Sequence, residues 1–387
     1  MVFSGLHKNI NINEIKSVLI ISMYFKGDAL FTTKLLPVLK ALIPGVQIDY
    51  LVKPRAKDML ENNDFIRDVI EFDNIRTSDY EQNYGFSLNE KKSLLNLIRQ
   101  KKYDLCIDLT GKYSTALTAL LGGFKYSAGI NYNGFGFCYS KFIPADTQNS
   151  KGHLSDKYLN VIKEAFEIKS EKWNDIIERL QPACNYNISA YEKLHAQKVL
   201  DGLSLNPDLP LIAIQTTAGW KAKQWTTEGY AGLVKRLLNE NNVVLLGSDS
   251  DKEFNYSILD SINVNLRKYF IQQSMRINSA IIGMSDLFIG CDSVGLQIAG
   301  ITGTPAIGLF GPTNPEFSAP GGEKVRIVYN KLSCSAPVNS QYCTRNAGKT
   351  CDTLDCMNNI DCETILKHVN DLIVINSHET FTVNEKN

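Results

Sequence analysis

The chain has 387 residues, 44% of them hydrophobic and 21% charged, a balance that supports buried cores and excludes a disordered or fibrous chain. Lys plus Arg and Asp plus Glu each number 41, and the resulting zero formal charge offers no global reason to expect a nucleic-acid partner. No apolar run approaches the ~18–20 residues of a membrane-spanning helix, and the opening residues lack the apolar stretch of an export signal. Nine cysteines without such a signal fit a reducing, cytoplasmic setting better than a disulfide scaffold.

In chain order, the apolar run 17–22 (SVLIIS) predicts a strand buried on both faces, and 29–42 (ALFTTKLLPVLKAL) has apolar residues at helical spacing. Strands are expected again at 48–52, 68–72 and 103–109, separated by segments long enough for helices. That alternation belongs to a parallel α/β sheet. Around 183–208 the pattern weakens to one helix and a Gly-, Asn- and Pro-containing connection. It restarts at 211, with strands near 211–215, 243–247, 286–291 and 305–310 and helices near 226–239, 275–284 and 293–302. Two Rossmann-like domains, 1–182 and 183–387, are therefore expected, the second carrying a cysteine-containing tail. Their ligands should bind at the C-terminal ends of the strands.

The loops at those ends hold the candidate chemistry. Asp28, in Lys26-Gly27-Asp28 after the first strand, sits where a helix dipole stabilises a carboxylate, and is a candidate general base for a substrate hydroxyl. The position equally suits a helix N-cap, and the two roles are compatible. Lys53, Arg55 and Lys57 leave the second strand, where they would attract a phosphorylated or acidic acceptor at a membrane surface, or simply be solvated.

In the second half, Thr216 and Thr217 begin a loop with Lys223 and two tryptophans, a mixture of hydroxyls, N–H groups and a cation suited to phosphate. The strand ending at Cys291 runs through Asp292, Ser293, Val294, Gly295 and Gln297 into a helix whose free N–H groups could hold a diphosphate. Asp249-Ser-Asp251 has the Asp-x-Asp form that can hold a divalent metal, but reads here as an ordinary loop. Cys334, Cys343, Cys351 and Cys356 supply enough thiolates for a structural zinc or iron, though no Cys-x-x-Cys pair occurs. The alternative is a loop of reduced thiols packed as small hydrophobes.

Taken together, three stretches resemble glycosyltransferase family 9, the ADP-heptose:lipopolysaccharide heptosyltransferases. They are VLIISMYFKGDALFTTKLLPVLKALIPGVQIDYLV near the start, KAKQWTTEGYAGLV in the middle and DLFIGCDSVGLQIAGITGTPAIGLFGPTNP ahead of the cysteine tail. The resemblance covers most of the chain in the right order. It implies a GT-B architecture: two facing Rossmann-like domains around a cleft, the first holding the acceptor and the second the nucleotide-sugar donor. It also implies inverting, metal-independent transfer from a donor such as ADP-heptose to a glycan or glycolipid acceptor.

Such an enzyme is expected in the cytoplasm, at the inner face of the membrane, with peripheral membrane association. By the same resemblance Asp28 is the base, Lys223 binds donor phosphate, Asp292 and Ser293 open the donor loop, and the acidic ligand of the donor sugar or ribose falls at Asp251 or Glu253. Val294 and Gln297 depart from the family's usual Gly and His. The readings that compete are a transferase or epimerase using another nucleotide-sugar, and a non-catalytic nucleotide-sugar-binding protein.

Overall fold

A computed structural model describes residues 8–73, 88–132, 134–145 and 152–384. The chain forms two compact units, Met1–Asn187 and Ile188–Asn387. The divide falls beyond residue 182 because the connection packs back onto the first unit: the Asn185 N–H donates to Thr33 Oγ1 (2.8 Å) and Asn187 Nδ2 to the Asn62 carbonyl (2.8 Å).

The first unit holds six parallel strands, β1 Ser17–Ser22, β2 Gln47–Val52, β3 Asp68–Glu71, β4 Leu105–Asp108, β5 Tyr126–Asn131 and β6 Lys141–Pro144, in the order β3-β2-β1-β4-β5-β6. The second repeats the plan with β7 Leu211–Gln215, β8 Asn242–Gly247, β9 Phe270–Gln272, β10 Leu287–Cys291, β11 Ala306–Phe310 and β12 Val325–Tyr329, in the order β12-β11-β10-β7-β8-β9. In both, strand order reverses beside the first strand. The loops after β1 and β4, and those after β7 and β10, therefore flank a ligand crevice of their own sheet.

Apolar residues run continuously through the central strands because helices cover both faces. Val18, Leu19, Ile20 and Ile21 of β1, and Leu287, Phe288 and Ile289 of β10, are fully buried. The second core also takes in Ile365, Val369 and Leu372 from the C-terminal helix that starts at Cys362.

The expected single helix over 29–42 is two helices, Lys26–Thr32 and Leu36–Leu42, joined by a 3₁₀ turn at Thr33–Leu35. Pro37 has no N–H for the Thr33 carbonyl and its ring crowds that group, so the backbone tightens there. The first helix begins at Lys26, capped by Phe25, so Asp28 lies inside the first turn rather than at the cap.

Candidate active site of a glycosyltransferase

In the first unit, Asp28 uses both carboxylate oxygens. Oδ2 accepts the Phe25 N–H at 3.3 Å, reaching back to satisfy a donor at the helix start, and Oδ1 accepts the Tyr158 hydroxyl at 3.2 Å. Tyr158 comes from the helix Leu154–Ala165, and burial followed by the Asp28 charge pushes its hydroxyl well above the ordinary tyrosine value. It therefore stays a donor.

The loop ahead of Asp28 is tied to the loop after β4. The Met23 N–H donates to Thr110 Oγ1 (2.9 Å) and the Tyr24 hydroxyl to the Thr110 carbonyl (2.8 Å). Thr110 and Gly111 in turn donate their N–H groups to buried Asp108 Oδ1 (2.9 and 3.1 Å), whose Oδ2 accepts Tyr139 at 2.7 Å. Burial raises the Asp108 carboxyl above its usual range despite these donors. Gly111 has φ +62°, and a Cβ there would meet the Ile130 carbonyl oxygen at 2.2 Å. This turn tolerates only glycine.

The three basic residues expected to greet an acceptor do not form one open patch. Lys53 is buried, Lys57 pairs with Glu71 (2.7 Å), and Arg55 lies over the Phe25 ring at 4.2 Å. Arg55 is thus the member placed beside the Asp28 loop.

In the second unit the structure brings Lys223 to Asp292. Lys223 Nζ lies 2.6 Å from Asp292 Oδ2 and 3.2 Å from the Asp292 carbonyl, and 3.9 Å from the centre of the Trp220 ring. Both charged side chains are nearly enclosed, at 12% and 9% exposure. Burial works against the Asp292 carboxylate, but the Lys223 charge and hydrogen bond outweigh it and hold the carboxyl below its usual range. Ser318 Oγ donates to the other oxygen at 3.0 Å.

Ser293 precedes the helix Val294–Thr302 and gives it no side-chain cap; its hydroxyl reaches Gln215 Oε1 at 3.4 Å. A Cβ at Gly295 would stand 2.0 Å from that same Oε1, so Gly295 lets Gln215 and the helix start approach. Gln297 is buried and donates to the Ser318 carbonyl. Thr216 and Thr217 are buried at the exit of β7, with Thr216 Oγ1 bonded to Asn255 Oδ1 (2.9 Å). Asp251 accepts the Ser248 N–H and hydroxyl (2.7 and 2.6 Å) and so shapes its own loop. Glu253 is exposed in the first turn of the helix Lys252–Ile262.

Cys334, Cys343, Cys351 and Cys356 line one cavity of about 10 Å³ together with Gly311 and Pro312, while Cys362 lies outside it. All are free thiols, and burial followed by the other three sulfurs pushes Cys356 up to about 11. Among the described residues no three His, Cys, Asp or Glu side chains already converge as a finished metal site. The cysteine segment braces the loops after β7 and β11. Cys343 N–H donates to the Pro312 carbonyl (2.8 Å), Asn314 N–H to the Gln341 carbonyl (3.0 Å), and the Tyr342 ring lies 6.2 Å from that of Trp220.

Residues 92–347 match the family model of glycosyltransferase family 9 (heptosyltransferase). The chain belongs to glycosyltransferase family 9. The chain is 23% identical over 340 residues to lipopolysaccharide heptosyltransferase 2 of Escherichia coli K12, covering 80% of this chain and 87% of that one. In fold it is similar to the E. coli ADP-heptose LPS heptosyltransferase II structure (TM-score 0.74, 19% identity, 93% of this chain and 99% of that one). It is similar also to a family 9 glycosyltransferase of Veillonella parvula (TM-score 0.76, 19% identity, 95% and 99%). This family 9 glycosyltransferase thus has the α/β GT-B class of fold, two Rossmann-like units with parallel sheets. Among its described residues no helix is long and apolar enough to cross a membrane.

Of the residues that shape the Asp28 loop, Tyr158 carries little sequence signal. Tyr158 lies 130 positions from Asp28, and nothing near it announces the contact. Asp108 and Thr110 had a signal, a strand ending in Asp-Leu-Thr-Gly beside the switch point.

Proposed function

We propose that this glycosyltransferase transfers heptose from ADP-heptose to a hydroxyl of a lipopolysaccharide core or related surface glycan, with inversion and without a catalytic metal. The observation that carries the reading is the pairing of chemistries at the two switch points: a positioned carboxylate in the first unit, and a lysine beside a helix N-terminus in the second.

Asp28 takes the proton of the acceptor hydroxyl as that oxygen attacks the anomeric carbon from the face opposite the nucleotide. The bond from that carbon to the diphosphate oxygen breaks, and its electron pair leaves with the nucleoside diphosphate. Lys223, which has three N–H donors and spends two directions on Asp292, offers the third to the developing charge, alongside the N–H groups at Val294 and Gly295. The site is cytoplasmic, at the inner membrane face, and association with the membrane is peripheral.

The test is Asp28→Asn. Loss of a general base costs about 10²–10⁴-fold in turnover, while ADP binding by calorimetry should be unchanged. Equal transfer by the variant removes Asp28 from the mechanism. A calorimetric panel of ADP, UDP, GDP and CDP decides the donor: preference for a base other than adenine discards heptose from ADP-heptose but keeps the transferase.

The same reading gives the four cavity cysteines a structural role. A cavity of about 10 Å³ walled by four thiols has room for one ion and a soft ligand set suited to zinc or iron. Cys334, Cys343, Cys351 and Cys356 would hold it, once brought closer together than they stand here. The bound ion would then stiffen the segment that braces Pro312–Asn314 and Trp220.

A further inference from the structure

The carboxylate of Asp28 stands at one end of a row of aromatic side chains supplied by the loops after β4 and β5. Burial, followed by the nearby Asp28 charge, pushes the Tyr132 hydroxyl up to about 12. Its ring lies against Gly111, where a Cβ would come within 2.9 Å of Cδ2. Next along the sheet edge, Tyr113 opens the helix Tyr113–Leu121, its ring centre 5.2 Å from that of Phe135, and Phe135 is 6.2 Å from Phe137.

This row is open to water. Tyr113 is 54% exposed, Phe137 42% and Tyr132 38%. Among the described residues of the first unit the large exposed aromatics are these three and Phe142, which lies on β6 beside the same loops. Exposed rings gathered at the ligand edge of a sheet, next to a functional carboxylate, mark a binding surface rather than scattered surface residues. The rings are tilted to one another, Tyr113 by 57° and Phe137 by 56° to Phe135, and each exposed one offers its own apolar face to a pyranose ring, which shows C–H groups on its faces and hydroxyls around its rim. Such a face does not suit a phosphate. Of the three basic residues that would serve a phosphate, Lys53 lies in the core, Lys57 on Glu71 and Arg55 over the Phe25 ring, so none belongs to the row.

We propose that Tyr132, Tyr113 and Phe137, with Phe135 between the last two, form an acceptor subsite on which an uncharged sugar ring stacks beside the hydroxyl presented to Asp28. The inference rests on the transferase reading for the position of that hydroxyl. It names the acceptor end as a neutral sugar held by stacking.

The experiment uses the full chain and lipopolysaccharide core oligosaccharide, with and without its phosphates. Tyr113→Ala and Phe137→Ala should each raise acceptor KM about two- to twelvefold, the span expected for one aromatic contact, with kcat and ADP affinity unchanged. Tyr113→Phe should keep the wild-type KM, and KM for the dephosphorylated oligosaccharide should stay flat as NaCl rises. KM values within twofold of wild type in both alanine variants overturn the proposal. So does a KM that climbs with salt and responds to charge reversal at Arg55 and Lys57.

If the wild-type protein neither binds ADP nor transfers, the transferase reading has failed on its own account. The subsite is then read by saturation-transfer NMR with the dephosphorylated oligosaccharide. Transfer to sugar C–H protons that disappears in the Tyr113→Ala/Phe137→Ala double variant supports the subsite. Transfer that persists there, or is absent from wild type, refutes it.

Discussion

Replacing Lys223 with Met tests the core of the proposed donor site, because the Lys223–Asp292 pair is nearly enclosed and short. Removing one member of a buried pair leaves an uncompensated charge, at a cost of about 3–5 kcal/mol. Asp292 retains the Ser318 hydroxyl, so the loss belongs near the lower end, about 3 kcal/mol. That is a large fraction of the roughly 5–15 kcal/mol that holds a domain folded. Lys223→Met/Asp292→Asn removes the stranded charge and should recover most of the loss.

The pH dependence gives the sign independently. In wild type the Asp292 carboxyl is held below its ordinary value, so its contribution is present above the unfolded value near pH 4 and fades as pH falls through the folded one. In Lys223→Met burial outweighs the hydroxyl that remains on Asp292 and raises the carboxyl, so stability should fall as pH rises above about 4. Urea unfolding followed by the fluorescence of Trp220 and Trp225 measures both. A loss under about 1 kcal/mol at pH 7, or a double variant no more stable than the single, refutes the buried-pair argument. If the double variant also regains ADP affinity, Lys223 acts through folding and not on phosphate.

Three further outcomes follow from the same contacts. Burial raises the Asp108 carboxyl, so the folded state holds a proton that the unfolded state releases and stability declines as pH rises above about 4; Asp108→Asn should flatten the melting-temperature profile between pH 4 and 7. A profile as steep as wild type would contradict that. Tyr158→Phe removes the hydroxyl that Asp28 Oδ1 accepts and should lower kcat/KM with ADP affinity unchanged; unaltered kcat/KM would mean the bond does not position the carboxylate in the working enzyme. Untagged protein should carry about one equivalent of zinc or iron, and Cys351→Ser/Cys356→Ser should lose it and weaken ADP binding through the Trp220 loop; metal-free wild type with full ADP affinity would leave the cysteines as packed thiols.

What could be read from the chain beforehand follows from where each element sits. Central strands such as β1 and β10 are buried on both faces, so they stand out as unbroken apolar runs bounded by loop residues. The edge strands β6 Lys141–Pro144, β9 Phe270–Gln272 and β12 Val325–Tyr329 carry no comparable run, nor does the interior β5 Tyr126–Asn131, interrupted by Ser127 and Gly129; of the edges only β3 Asp68–Glu71 is expected from the sequence. The switch-point loops were legible because they follow recognisable strands. Their partners were not, since Lys223 and Asp292 are 69 positions apart and only the sheet order brings them together.

Asp28 shows why capping and catalysis need not be separated at such a position. Its Oδ2 reaches back to the Phe25 N–H while Oδ1 takes the Tyr158 hydroxyl, and a carboxylate with about four acceptor directions keeps room for a substrate proton after both. Asparagine at this position can still offer its Oδ1 to the Phe25 N–H and so preserve the helix start. Asp28→Asn therefore removes proton transfer with little effect on the fold, whereas Asp28→Ala removes the reach-back contact as well. A variant pair in which Ala melts earlier than Asn, while both lack turnover, would assign the cap and the base to one carboxylate; full turnover by Asn would leave only the cap.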